Sequence, residues 1–286
     1  MGLRKLALGL LGGIGLCALG VSDQADARPL DTVMESGTIT IGVYRDLPPY
    51  STNDGSGVKG IDVEVGAELA RRMGLKVAYL ELTADENLDD DLRNGVWKGS
   101  VVGGGVADVM LHMPADRQVD ARNELAVLFG AYHRERFMLA YDAQVAGEQP
   151  TLPLFAHDLK IGAELDTLPD IFLSGAMGGR LLSNVRRDAS VEGAVARMID
   201  GELAAVMGEE TRLRAALKDQ DPERYKVGSM PMPGFAVTGW DLGTAVKSDS
   251  RDLGYKVRRL LDDMEEDGTL ERIFAAHGAI WRKPER

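Results

Sequence analysis

Cysteine is nearly absent from this chain. Its 286 residues contain one, Cys17, inside an apolar N-terminal stretch. Downstream of that stretch there is none, which excludes a disulfide framework and thiol chemistry. Cationic side chains are also in deficit, 33 Lys and Arg against 45 Asp and Glu, a net charge of −12. A protein living on phosphate contacts would be basic, so nucleic acid is excluded as a partner. Long apolar runs are missing outside residues 6–21, and that run falls short of the ~20 residues of a spanning helix. The four histidines, His112, His133, His157 and His277, show no zinc spacing. Gly103-Gly104-Gly105 lacks the lysine and serine of a phosphate loop, and no Gly-x-Ser-x-Gly elbow is present. Asp85-Glu86-Asn87-Leu88-Asp89 opens like a calcium loop, but Asp90 replaces the glycine and Val96 the closing glutamate, so it reads as a solvated acidic loop. No metal and no cofactor are expected.

What is present is ordinary globular material. Hydrophobic residues make up 44 % of the chain, enough to bury a core and to argue against disorder. The length suggests about two domains. Arg4 and Lys5, the apolar run and Ala25-Asp26-Ala27 have the layout of a secretory signal peptide cleaved before Arg28. Leu16 before Cys17 does not suit a lipoprotein site.

The remainder reads as two similar α/β halves. In the first, Thr38–Tyr44 alternates as a strand. Ile61, Val65, Leu69 and Met73 lie four apart on one helical face, and Gly74 ends that helix. Lys76–Leu82 is the next strand, residues 89–94 a second helix candidate, and residues 107–111 a short buried strand. In the second, residues 159–163 and 203–207 read as strands around a helix over 191–200, with 242–246 a further strand. Ser248-Asp249-Ser250 offers a cap for a helix whose apolar stripe is Leu253, Val257, Leu260, Leu261 and Met264. A short helix with Leu270, Ile273 and Phe274 follows. Strand–helix–strand alternation implies parallel βαβ units.

Several stretches are specific. Gly60-Ile61-Asp62-Val63-Glu64-Val65-Gly66-Ala67-Glu68-Leu69-Ala70-Arg71-Arg72-Met73 resembles the signature of family 3 extracellular solute-binding proteins. The resemblance continues in Gly-Val-Tyr-Arg-Asp-Leu-Pro-Pro-Tyr at 42–50, in residues 107–111, in Ala131-Tyr132 and in Asp-Gly-Thr-Leu at 267–270. It implies an α/β, two-lobed periplasmic binding protein type II fold. Each lobe would be a mixed, mostly parallel sheet flanked by helices, and two crossing hinge segments would join them, near 136–142 and 239–247. The implied division is a signal peptide at 1–27, lobe one at 28–138, lobe two at 139–241, and the rest of lobe one at 242–286. It further implies a non-enzymatic, monomeric periplasmic protein that clamps an amino-acid-like or anionic small-molecule ligand and delivers it to an ABC permease in the inner membrane.

Ligands of parallel α/β sheets bind past the C-terminal ends of strands. Residues 44–50, 112–117 and 208–211 lie just past strands, which makes Tyr44, Tyr50, His112 and Tyr132 candidates beside the packing roles such residues often play. By the resemblance, Arg117 stands where a lobe-one arginine takes an α-carboxylate, its planar fork suited to that task. Pro114 replaces the family's threonine three residues earlier. Glu209 matches the second-lobe acid that takes an α-amino group. Leu47 and Asp85-Glu86-Asn87 stand where stacking aromatics are usual.

Two other readings use the same fold. In the loop over 47–53 and in His112-Met113-Pro114, the chain also resembles accessory proteins of PQQ-dependent methanol and alcohol dehydrogenases. That branch implies docking on a periplasmic quinoprotein dehydrogenase. A few proteins of this fold are dehydratases, for which Glu209 would be the general acid. On the signal-peptide reading, N-terminal sequencing of the exported protein should begin at Arg28. A retained segment 1–27 would refute it.

Overall fold

The structure, a computed structural model, describes residues 28–100 and 104–285. The expected signal peptide and Cys17 lie outside the described residues. Helix α1 (Leu30–Ser36) leads into β1 (Thr38–Tyr44), the short hairpin β2 (Thr52–Asn53) and β3 (Val58–Lys59), then α2 (Ile61–Met73) and β4 (Lys76–Leu82). Next come α3 (Leu88–Leu92), continued as a π turn through Trp97, then β5 (Val109–Pro114), α4 (Arg117–Arg122) and the 17-residue β6 (Ala126–Asp142). The second half holds α5 (Ala143–Ala146), β7 (Ile161–Glu164), α6 (Leu168–Gly179), β8 (Val185–Asp188), α7 (Val191–Ile199), β9 (Ala205–Glu209), α8 (Glu210–Ala216) and β10 (Tyr225–Gly228). Strand β11 (Gly239–Lys247) and helices α9 (Arg251–Glu266) and α10 (Thr269–Ala276) close the chain. Among the described residues no helix is long and apolar enough to cross a membrane.

The architecture is the two-lobed type II binding fold. The main sheet runs β4-β1-β5-β11-β6-β9-β7-β8, with β10 also on β6. Its outer strands are parallel in each lobe, and the pairs around β6 are antiparallel. Strand β6 serves both lobes. It pairs with β11 up to Arg136↔Gly239, then with β9 from Phe137↔Glu209. The exchange therefore falls at the first residues of each segment expected to cross. Lobe one buries α2, α9 and α10 against β1, β5 and β11, through Ile41, Val65, Leu69, Leu111, Val257 and Phe274. Lobe two has its own clusters, one around Phe155, Phe172 and Met207, the other around Val195, Met198 and Val206.

Three expected strands start two residues early. Those at 107–111, 159–163 and 203–207 are observed as β5, β7 and β9. Leu159 and Lys160 ahead of β7 are half-buried and exposed, whereas the runs at 107 and 203 begin in buried residues that approach the sheet before pairing with it. Asp108 shows why: its carboxylate accepts from Thr40 N at 2.8 Å and pairs with Arg28 at 2.6 Å. Ser250 does precede α9, yet its hydroxyl turns to Asp249 and makes no cap bond. Strand β6 was the largest omission, because Arg134, Glu135 and Arg136 interrupt its apolar run.

The loop ahead of α2 needs glycine at Gly60. Its φ is 135°, and a Cβ there would stand 2.7 Å from Pro49 O and closer still to Tyr50 O. Those carbonyls accept from Ile61 N and Asp62 N, so the close approach seats the helix start. Gly74, at φ 72°, has open space around it. Gly60→Ala should cost about 2–3 kcal/mol in urea unfolding, and Gly74→Ala about 1 kcal/mol. Equal costs would contradict this account.

Candidate functional site

The lobes meet over the middle of β6, and a buried polar network occupies that place. Glu135 is 1 % exposed. Its carboxyl accepts from the Tyr50 hydroxyl at 2.5 Å and from Arg136 N at 2.9 Å. The Thr211 hydroxyl of lobe two stands beside both Tyr50 and Glu135. His133 Nε2 lies 3.1 Å from that hydroxyl, while Arg282 N donates to His133 Nδ1 at 3.2 Å. The backbone donor assigns the proton to Nε2, which donates to Thr211. Burial keeps His133 neutral and pushes its pKa down to about 3. Burial pushes Glu135 up to about 7; the Tyr50 hydrogen bond opposes the shift and the charge of Glu209 adds to it.

The lobe-one wall forms at the ends of β1 and β5. Gly60 places Asp62 in the first turn of α2, fully buried. Asp62 accepts from the Tyr132 hydroxyl at 2.6 Å and lies 3.0 Å from His112 Nδ1. His112 sits at φ 62°, a left-handed conformation that a non-glycine residue holds only when its surroundings impose it. Its ring meets Tyr50 edge-on at 4.3 Å and Tyr44 at 6.0 Å. Tyr44 donates to Asp91 at 2.7 Å. The structure thus brings Tyr44, Tyr50, His112 and Tyr132 together. Tyr50 and Tyr132 are buried at 1 % and 0 % exposure, with their hydroxyls engaged by internal carboxylates.

Arg117 is placed apart from that group. It is exposed at the start of α4, directly after β5, and has no ion-pair partner among the described residues. Its neighbours are otherwise engaged: Asp116 caps α4 and Asp120 accepts from Leu128 N. Because β5 runs parallel to β6, its C-terminal end points toward lobe two.

The lobe-two wall is acidic. Arg212, on α8, binds Glu164 at 2.7 Å, Glu192 at 2.8 Å and Glu209 at 3.3 Å. Three carboxylates therefore share one guanidinium at the ends of β7 and β9 and the start of α7. Burial raises the pKa of Glu164, and the charges of Glu209 and Glu192 add to the shift against Arg212. Glu210 is the opposite case, one carboxylate binding Arg136, Arg214 and Arg282. Burial opposes its charge, but hydrogen bonds from those arginines hold its pKa at about 2. Among the described residues no group of three or more His, Cys, Asp or Glu side chains is arranged to hold a metal ion.

Sequence reasoning missed Asp62, Glu135 and Arg212 as members of this site, and reached Thr211 only as the last residue of the segment 208–211. Asp62 carried a signal, an acid at the start of an apolar helical face. Glu135 carried a weaker one, an acid between two arginines inside a strand.

Part of the sequence and the fold as a whole have counterparts in known proteins. Residues 39–98 match the model of bacterial extracellular solute-binding proteins, family 3. The family 3 signature thus covers β1 to the π turn, including Tyr44, Tyr50 and Asp62. No curated relative matches the chain by sequence. An ancestral cationic amino acid solute-binding protein, AncCDT-1, superposes with a TM-score of 0.67 at 18 % identity, over 87 % of this chain and 98 % of that one. A second structure of AncCDT-1, described as a precursor of cyclohexadienyl dehydratase, gives 0.59 at 19 % identity, over 87 % and 98 %. An amino acid ABC transporter substrate-binding protein from Streptococcus pneumoniae, bound to L-arginine, gives 0.59 at 16 % identity, over 88 % and 98 %. At these identities the likeness is one of fold, shared by solute-binding proteins and by the forerunner of an enzyme.

The buried network makes stability depend on pH in a resolvable way. Between its ordinary 4.5 and about 7, Glu135 is deprotonated in the unfolded chain and protonated in the fold. Its contribution is fully present below pH 4.5 and is lost as pH rises through 7, about 3 kcal/mol in all. His133 runs the other way, its contribution growing from about pH 3 to 6.5. Urea unfolding of the parent and Glu135→Gln at about pH 5 and about pH 8 separates the two. The parent should lose about 3 kcal/mol relative to the variant at the higher pH. An unchanged difference would refute the buried acid.

Proposed function

We propose that this is a periplasmic solute-binding protein that closes its two lobes on a zwitterionic, amino-acid-like ligand and presents it to an ABC importer. The observation that carries the reading is the pairing of opposite charge excesses on the two walls. Lobe two has three carboxylates on Arg212, an excess that attracts an ammonium group. Lobe one has Arg117, an exposed guanidinium without an ion-pair partner among the described residues, at the end of β5. A carboxylate on Arg117 and an ammonium beside Glu209 would draw the lobes together. The net charge of −12 does not steer anions, so a local cation has to supply that attraction. Tyr44 and His112 edge the same wall and are proposed as its neutral ligand contacts. Tyr50 and Tyr132, buried behind them, are proposed to hold His112 and the hinge in place.

The arrangement favours binding over dehydratase chemistry. The carboxyl with the most strongly raised pKa, Glu135, is buried beneath Tyr50, and Glu209 is held by Arg212. L-Arginine, the ligand of the pneumococcal structure, is the first compound to test, followed by neutral and acidic amino acids. Thermal-shift screening should find a ligand that raises Tm, and titration calorimetry should show Arg117→Lys and Glu209→Gln each weakening it. Loss of a charge-assisted contact in a closed cleft costs about 2–5 kcal/mol, roughly thirty-fold or more in affinity. If both variants bind as tightly as the parent, the cleft assignment is wrong.

A further inference from the structure

The far face of the hinge holds a second charged cavity. Along β6 successive side chains alternate sides, so His133 and Glu135 face the buried network while Arg134 and Arg136 face the opposite way. There they line a cavity of about 650 Å³ together with Met230, Met232, Trp281 and Arg282. Lys283, paired with Glu265 at 2.6 Å, and Glu285 complete the charged rim, so the cavity gathers four cationic side chains in a chain of net charge −12.

The guanidinium groups are held from beneath. Glu210, its side chain 3 % exposed, accepts from Arg136 Nε at 2.7 Å and from Arg282 Nε at 2.5 Å and Nη2 at 2.8 Å. This leaves both terminal nitrogens of Arg136 and Nη1 of Arg282 without a protein acceptor among the described residues. Arg136 keeps 38 % of its side chain exposed and Arg282 30 %. Glu210 also serves Arg214, so three guanidinium charges meet one carboxylate. Arg134 is braced by Asp241 at 3.2 Å and Glu285 at 3.1 Å. Fixed forks with free N–H groups suit carboxylates. The Trp281 ring and the methionines Met230 and Met232 offer an apolar wall beside them.

We propose that this cavity is a second binding site, for a small organic polyanion with several carboxylates on a flat apolar body. Its walls come from both lobes: Met230 and Met232 pack with the lobe-two core, and Trp281 packs with the lobe-one core. An occupant therefore spans the hinge, and its affinity depends on the angle between the lobes. By linkage, occupancy of this site and of the cleft alter each other's affinity by one common factor.

The probe is benzene-1,3,5-tricarboxylate, titrated calorimetrically into the protein, with inorganic phosphate as a second arm. The tricarboxylate should bind one to one and weaken as salt is raised. Arg136→Lys keeps a charge on Glu210 but removes the free fork, and should weaken binding roughly tenfold. Lys283→Gln removes a rim charge from a side chain 70 % exposed, gives up only an exposed-lysine pair with Glu265 that contributes little to folding, and should weaken binding by a similar factor. Arg117→Lys should leave tricarboxylate binding unchanged. Absence of binding, equal affinity for phosphate, or indifference to both hinge variants would overturn the proposal. Loss of tricarboxylate binding in Arg117→Lys would also overturn it, since the occupied site would then be the cleft.

Discussion

The exchange of partners along β6 is the constraint on which the rest of the molecule depends. A strand has two edges, and backbone groups left unpaired in the interior are costly. Up to Arg136 one edge of β6 is taken by β11 of lobe one; from Phe137 on, β9 of lobe two takes the other. Backbone hydrogen bonding thus continues across the junction while the sheet changes lobes. The remaining groups there fall to side chains and to the C-terminal segment. Arg282 shows this directly, accepting from Arg134 N through its carbonyl and donating its own N–H to His133.

That exchange determines which side chains meet. Glu135, one residue before it, is carried into the interior with Tyr50 and Thr211, and Arg136 is carried to the other face with Glu210. Burial opposes the charge of both acids, and their partners decide the outcome. Glu135 has a tyrosine for its close partner and keeps its proton up to about pH 7. Glu210 has three arginines and stays ionised down to about pH 2. The difference lies in the partners, since both carboxyls are withdrawn from water.

Charge is sorted around this junction rather than spread evenly. Carboxylates outnumber guanidinium groups three to one around Arg212, and guanidinium groups outnumber carboxylates three to one around Glu210. Arg212 and Glu210 are two positions apart on α8. A helix turns by about 100° per residue, so positions two apart face different ways. One short helix thereby places Arg212 in an acid-rich cluster on one side and Glu210 in a cation-rich cluster at the hinge on the other.

Local pattern determined the element types. The four-residue spacing of Ile61, Val65, Leu69 and Met73 over 13 residues favours a helix, because a strand would also bring Arg71 onto that face, and the alternation in Thr38–Tyr44 favours a strand. The signature around Gly60 carried the fold, because a glycine at φ 135° and an acid two residues later are what the loop–helix junction requires. Tertiary structure alone decided the strand starts, the course of β6 and the membership of the site. Arg134, Glu135 and Arg136 are three consecutive charged residues with no local reason for burial. They lie in a strand interior because Glu210, Asp241 and Tyr50, all distant in sequence, supply their partners. From sequence Tyr50 and Tyr132 are candidates for the cleft, although such residues more often pack in a core. Only the positions of Glu135 and Asp62 settled that their hydroxyls turn inward, since a buried hydroxyl goes where an acceptor already waits.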